Sequence, residues 1–309
     1  MNELKESDAI VSSLPAPLVS VGIPTFNRPD GLRRTLECIT RQSYRNLEII
    51  ISDNCSPGPE TQSVAEEFQK NDSRIQYFRQ DKNQGPAWNF AFVLEKATGE
   101  YFMWASDDDE WDKNFIKSLI FLLENNKKIG MAFCNIVSID SYSRIIRELP
   151  SFEVFSGVTS HDTIANYLKS PEFFGKANLI YSLYRLDICK EALKACPFTD
   201  HWGSDMCFVL GALVRGGICI DKRVLFKKRY ARETDIPDHA DMVIARNPVF
   251  YSFDFLCTFT YITDNLKAVQ GTPYYFFTLA ILIGRIPKSF VIFCLNQFHN
   301  ILRNIIKQA

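Results

Sequence analysis

Three consecutive aspartates, Asp107, Asp108 and Asp109, lie in the stretch SDDDEWD at residues 106–112, directly after the apolar run YFMWA. Like charges about 4 Å apart repel by on the order of 4 kcal/mol per pair at an effective dielectric of 20. Water, a basic partner or a metal ion has to compensate for that repulsion. Carboxylates at a strand end are hard oxygen ligands that suit Mg²⁺ or Mn²⁺, ions that keep several waters and are shared with substrate phosphates. The plainer reading, a solvated acidic turn or a set of helix caps, loses ground because the cluster follows a buried-looking strand in an alternating strand–helix order.

That order begins at residue 18. LVSVGI, LEIIISD, IQYF, EYFMWA and MAFCNIVSI read as strands. Helices are expected between them over Pro29–Gln42, Glu60–Asn71, Ala87–Thr98 and Asn114–Asn125, with apolar residues recurring at helical spacing and Pro29 placed to start the first. Such a βαβ series predicts an α/β fold with a Rossmann-like, mostly parallel central sheet and helices on both faces. Ligands bind such sheets beyond the carboxyl ends of the strands. The polar strand ends are PTFNR, SDNCS and SDDD, and all three should lie along one edge. Past residue 140 the pattern weakens. RLDICKEALKA and MCFVLGALVR read as helices, the second headed by Asp205, and ICID and RVLF read as two short strands before the basic run KKRYAR.

No GxxxxGK followed by Ser or Thr is present, and VGIPTFNR is not a GxGxxG turn, so neither a P-loop nor a dinucleotide site is supported. There is no GxSxG elbow. The chemistry left is a nucleotide pocket with an Asp and a metal bridging a diphosphate.

Taken together, VSVGIPTFNR, IIISDNCS and NQGPAWNFAFVLEKATGEYFMWASDDDEW resemble glycosyltransferase family 2, whose members have the GT-A fold. The likeness is clear over residues 18–125 and continues to about 230. It implies a metal-dependent inverting transferase moving a sugar from a nucleotide-diphosphate sugar, UDP-sugar above all, to a glycan or lipid-linked acceptor, as in bacterial surface-polysaccharide assembly. Pro24, Thr25 and Asn27 would line the nucleotide, Asp53 would bind the base, and Asn83 and Gly85 would pack near it. The acidic metal motif falls on 106–109 with Ser106 at its usual first Asp. The overlay names Asp108 as ligand, the literal DxD names Asp107 and Asp109, and Mn²⁺ or Mg²⁺ is the expected ion. We take Asp107 with the nucleotide-sugar residues and Asp108 and Asp109 with the metal. The family's acidic pair heading a later helix matches Ser204 and Asp205, which makes Asp205 the expected base. Lys227, Lys228 and Arg229 match a segment that closes over the diphosphate, or else form a solvated basic face. His201, His239 and Asp200 are acceptor-side candidates. Two other readings stand beside this one: a nucleotidyltransferase on a similar sheet, and a non-catalytic sugar-binding protein.

A chain of 309 residues with 46% hydrophobic and 23% charged residues supports a real core, and its net charge of −1 gives no argument for nucleic acid. Nine cysteines without regular spacing, after a polar start, fit a reducing cytoplasm. The expected organisation is a leader over 1–17, a catalytic domain over 18–230 with nucleotide and acceptor halves meeting near 125, and a helical region over 231–309. In that last region YYFFTLAILIG and FVIFCL are each too short to span a bilayer. A buried core helix and a pair of helices lying on the inner membrane face are both open for it, and the tail HNILRNIIKQA favours the membrane surface.

Overall fold

The computed structural model describes residues 16–170, 174–230 and 255–284. The leader lies outside them, apart from its last two residues, as do residues 231–254, His239 among them, and the segment 285–309. The strands are β1 (Val19–Thr25), β2 (Leu47–Asp53), β3 (Ile75–Arg79), β4 (Tyr101–Trp104), β5 (Glu110–Trp111), β6 (Met131–Ile139), β7 (Ile145–Glu148), β8 (Leu183–Arg185) and β9 (Ile218–Arg229). The helices that matter for the site are α1 (Pro29–Thr40), α2 (Glu60–Asn71), α3 (Pro86–Glu95), α4 (Phe115–Asn125), α5 (His161–Lys169), α6 (Leu186–Ala195), α7 (Ser204–Gly216) and α8 (Phe255–Ala268). Residues 275–284 form a further helix, α9.

One sheet runs in the order β3-β2-β1-β4-β8-β6-β9-β5, with β7 on β6. Its β3-β2-β1-β4 block is parallel, as the βαβ pattern requires. Beyond β4 the sheet is mixed, because β8 runs antiparallel between β4 and β6. Every residue of β1 and β2 is buried, as expected of strands covered on both faces. α1 starts on Pro29 and buries Leu32, Leu36 and Ile39. In register, Thr25 lies beside Asp53 and Gly22 beside Trp104, so the polar ends of β1, β2 and β4 share one edge.

Two local expectations are corrected. α3 stops at Glu95, not Thr98, because Thr98 and Gly99 donate their backbone N–H groups to the buried Glu48 carboxylate at 2.7 and 3.1 Å. ICID and RVLF are one strand, β9, which keeps pairing with β6 through register shifts around Asn135. Asn135 stitches the irregularity by donating Nδ2–H to the Lys222 carbonyl at 2.8 Å.

The C-terminal helices pack on the core through Tyr261, Ala268, Val269 and Leu282. Tyr261 also meets Trp202, ring centroids 5.4 Å apart, just ahead of α7. Among the described residues no helix is long and apolar enough to cross a membrane.

Candidate active site

A cavity of about 440 Å³ opens at the shared strand edge, lined by Pro24, Thr25, Asn83, Asp107, Asp108 and Lys228 among others. Five residues expected from sequence at the donor or metal site therefore meet in one place. Asn27, Asp53, Gly85, Asp109 and Asp205 do not line it.

The acidic run is held by a defined set of donors. Thr25 donates Oγ1–H to Asp107 Oδ2 at 2.8 Å. Arg28 donates Nη1–H to Asp108 Oδ2 at 2.6 Å and lies 3.6 Å from Asp107. Asp109 has no exposure. It accepts from Lys228 Nζ and from the Arg229 backbone N–H, each at 2.8 Å, and from the Ser106 hydroxyl. Asp109, its oxygens accepting from Lys228, the Arg229 N–H and Ser106, does not line the cavity, while Asp107 and Asp108 do. Burial pushes the Asp107 carboxyl up to about 6, against the pull of Thr25 and Arg28. Burial lowers the Lys228 ammonium, but Tyr181, Asp109 and Asp108 outweigh it and hold the group above its ordinary value. The ammonium also sits 5.2 Å over the Tyr181 ring.

The carboxylates that line the cavity suit a divalent ion. Two hard carboxylates, Asp107 and Asp108, would hold it from the protein side, leaving the opposite side to donor oxygens. Among the described residues no three His, Cys, Asp or Glu side chains converge into an all-protein cage.

The nucleotide end is built by side-chain amides. Asn54 accepts from Gln84 N–H at 2.9 Å and donates to Asn83 Oδ1 and the Gly85 carbonyl, which fixes the loop before α3. Gly85 has φ of +86° where that loop enters the helix, a conformation open to glycine. Asn27, at φ +55°, donates its N–H to Ser56 Oγ at 2.8 Å. Asn89 ties two strand ends together, donating to the Ser52 and Thr25 carbonyls, and its Oδ1 is buried at the cavity wall with no partner. Asp53 is fully buried. It accepts from Ser56 N–H and Oγ, the Tyr77 hydroxyl and Arg79, so in this arrangement it organises the wall from behind. Sequence reading missed Arg28, Asn54, Asn89 and Tyr181. Arg28 had a signal, as the first cation after the PTFN segment. Tyr181 had none, since it arrives from a 3₁₀ turn far along the chain.

Asp205 stands in the first turn of α7, half-buried, accepting the Met206 N–H at 2.8 Å. Burial raises its carboxyl above the ordinary range. A second cavity, about 710 Å³, lies between α3 and α6. Gln84, Ala87 and Trp88 line it, alternating in sequence with the donor-cavity residues Asn83, Pro86 and Asn89. Asp200 lines it too, facing Gly85.

Comparison with known proteins agrees with this architecture. TarS 1-349 of S. aureus in complex with UDP superposes with a TM-score of 0.59 at 14% identity, covering 91% of each chain. TarS 1-349 in complex with UDP-GlcNAc superposes with a TM-score of 0.57, covering 89% of this chain and 79% of that one. These likenesses establish the GT-A fold. In sequence, the chain is 43% identical over 95 residues to the GalNAc(5)-diNAcBac-PP-undecaprenol beta-1,3-glucosyltransferase of Campylobacter jejuni, covering 30% of each protein. It is 32% identical over 267 residues to an uncharacterized glycosyltransferase of Rickettsia felis, covering 85% of this chain and 42% of that one. The chain spans less than half the length of these curated relatives. The model of glycosyl transferase family 2 matches residues 20–178, just over half of the chain, and takes in the three strand ends that build the cavity. On that match, and on the fold that carries it, the chain belongs to glycosyltransferase family 2.

Proposed function

We propose that this glycosyltransferase moves a sugar from a UDP-sugar to a glycan or lipid-linked acceptor with inversion at the anomeric carbon, assisted by Mn²⁺ or Mg²⁺. The observation that carries the reading is the cavity where Asp107 and Asp108 face Lys228 and Arg28, a mixed-charge site suited to a diphosphate and its counter-ion. The Pro24–Asn27 segment, Asn83 and Gly85 cradle the nucleotide, and Asp53 supports that wall through Ser56, Tyr77 and Arg79. Asp107 and Asp108 would hold the ion, which supplies charge neutralisation for the departing diphosphate. Lys228, anchored by Asp109, and Arg28 bring positive charge to the same oxygens.

Asp205 takes the proton of the acceptor hydroxyl as that oxygen bonds to the anomeric carbon and the bond to the diphosphate oxygen breaks. A carboxylate whose pKa is raised by burial is a better base near neutral pH. The acceptor approaches along the α3–α6 groove, whose Asp200 end adjoins the donor loop. The enzyme works on the cytoplasmic side, in peripheral contact with the inner membrane face, and takes no nucleic acid.

The test is a donor screen with Mn²⁺ that follows release of UDP, together with the Asp205→Asn variant. We expect UDP release with a UDP-sugar, and a loss of at least 100-fold in transfer by Asp205→Asn with donor affinity unchanged. Pyrophosphate as the product would overturn the reading, and full turnover by Asp205→Asn would move the base elsewhere.

A further inference from the structure

Lys176 opens the 3₁₀ turn Lys176–Tyr181 and has no exposure. Its Nζ donates to the Ser170 carbonyl at 2.9 Å and to the Tyr167 carbonyl at 3.2 Å. Those carbonyls close the last turn of α5, the negative end of that helix, where a cation is favoured. The ammonium also sits 5.1 Å over the Tyr167 ring. A glycine or an asparagine satisfies a helix end without any desolvated charge, so a lysine stripped of water here calls for a further reason.

Tyr167 points to one. It is fully buried, and its hydroxyl donates to the Met206 carbonyl at 2.8 Å. Met206 is also the residue whose N–H holds the Asp205 carboxylate at 2.8 Å. Two contacts therefore lead from the ammonium to the first turn of α7: Nζ on the Tyr167 ring, and the Tyr167 hydroxyl on the residue next to Asp205. The charges agree with the geometry. Burial raises the Asp205 carboxyl, the Met206 N–H lowers it, and the Lys176 ammonium lowers it further. The other groups around this carboxyl are Tyr184 of β8 and Cys207 of α7, with Tyr261 and Asp264 of α8 behind them. Burial pushes Tyr167, Tyr184 and Cys207 well above their ordinary values, so they stay neutral near pH 7. Asp264 is paired with Lys267 at 2.9 Å. On the loop ahead of α7, Asp200 faces Gly85 and His201 is exposed.

The far end of the same turn reaches the donor site. Tyr181 lines the cavity, and the Lys228 ammonium sits 5.2 Å over its ring. One six-residue turn thus touches the support of the base at one end and the donor cavity at the other.

We propose that Lys176 and Tyr167 are positioning residues for Asp205, Tyr167 fixing the first turn of α7 and Lys176 giving the carboxylate a buried counter-charge. The inference rests on the reading of Asp205 as the base.

Two readouts on the full chain test it. Carbon-13 spectra of aspartate-labelled protein follow the Asp205 carboxyl through a pH titration, its signal being the one missing from Asp205→Asn. UDP release from the UDP-sugar that the donor screen selects, with Mn²⁺ and with water as acceptor, gives the pH–rate profile. Lys176→Gln keeps two N–H donors for the α5 carbonyls and removes the charge. The Asp205 titration should then move to higher pH, because the ionised form has lost its counter-charge. UDP release should fall about tenfold at pH 6, a deficit that shrinks toward pH 9, where the carboxyl is ionised in both proteins. Tyr167→Phe keeps the ring beneath the ammonium and loses the bond to Met206. It should lower kcat about tenfold at every pH with the affinity for UDP within twofold. A lysine that only caps α5 gives another pattern: Lys176→Gln leaves the titration in place and changes the rate by one factor at all pH values. That pattern, beside an inactive Asp205→Asn, overturns this inference alone. Full turnover by Asp205→Asn overturns the reading of the base, and the positioning role with it. Should Lys176→Gln fail to fold, Tyr167→Phe decides, and its full turnover overturns the proposal.

Discussion

At the scale of single residues, the repulsion within 107–109 is answered mainly by the protein itself. Arg28 sits on Asp108 and near Asp107, Lys228 on Asp109, and Arg229 pairs with the neighbouring Glu110. The balance is least complete at Asp107, whose carboxyl is raised from an ordinary 3.8 to about 6 by burial. The folded protein therefore keeps that proton to about pH 6, whereas the unfolded chain releases it near pH 4. Folding is penalised increasingly as pH rises across that window, and fully above it. Asp107→Asn removes the penalty. It should stabilise the protein at pH 8 by about 2 kcal/mol, with no gain at pH 4, while donor turnover is lost. Thermal melts at the two pH values check the first part, and UDP release checks the second. Equal melting shifts at both pH values would show that the carboxylate is not strained by burial.

At the scale of elements, the entry to α7 decides where the base stands. Gly203 has φ of +80°, and a Cβ there would sit 2.8 Å from the Tyr261 ring. Gly203→Ala should cost about 1–3 kcal/mol through backbone strain and displacement of the ring. Because Asp205 follows two residues later, acceptor transfer should fall more than donor binding does. Comparing the drop in kcat with the donor Kd tests this, and an equal loss in both would mean that the loop supports the donor site instead. The strand ends behave differently. Glu48, buried in β2, receives bonds from Ser20, Thr98 and Gly99, so it ties β1, β2 and the entry to β4 into one edge.

At the scale of the whole molecule, the division into nucleotide and acceptor halves near residue 125 does not correspond to two sheets. β8 and β6, from the later half, continue directly from β4. β9 returns Lys228 and Arg229 to the aspartates more than a hundred residues earlier in the chain. Hydrogen bonds and core thus cross the nominal boundary throughout. We expect the two halves to unfold together: tryptophan fluorescence, reporting Trp88, Trp104, Trp111 and Trp202, and far-UV circular dichroism should share one midpoint. Separate midpoints would show that the two halves of the domain unfold as separate units.

By itself the sequence determined the parallel β1–β4 block, the edge on which its polar ends meet, and the residues Pro24, Thr25, Asn83, Asp107 and Asp108 that gather there. Most of these are local matters: strand and helix periods, the proline that starts α1, and polar residues placed just beyond apolar strands; Asn83 came only from the resemblance to the family. Only the tertiary structure decided which aspartates face the cavity. That depended on Lys228 and the Arg229 N–H capturing Asp109, and on Ser56, Tyr77 and Arg79 enclosing Asp53. Pairings between residues so distant in the chain leave no periodic signal. The same limit explains the continuous β9, whose irregular midpoint looks like a break until β6 is beside it.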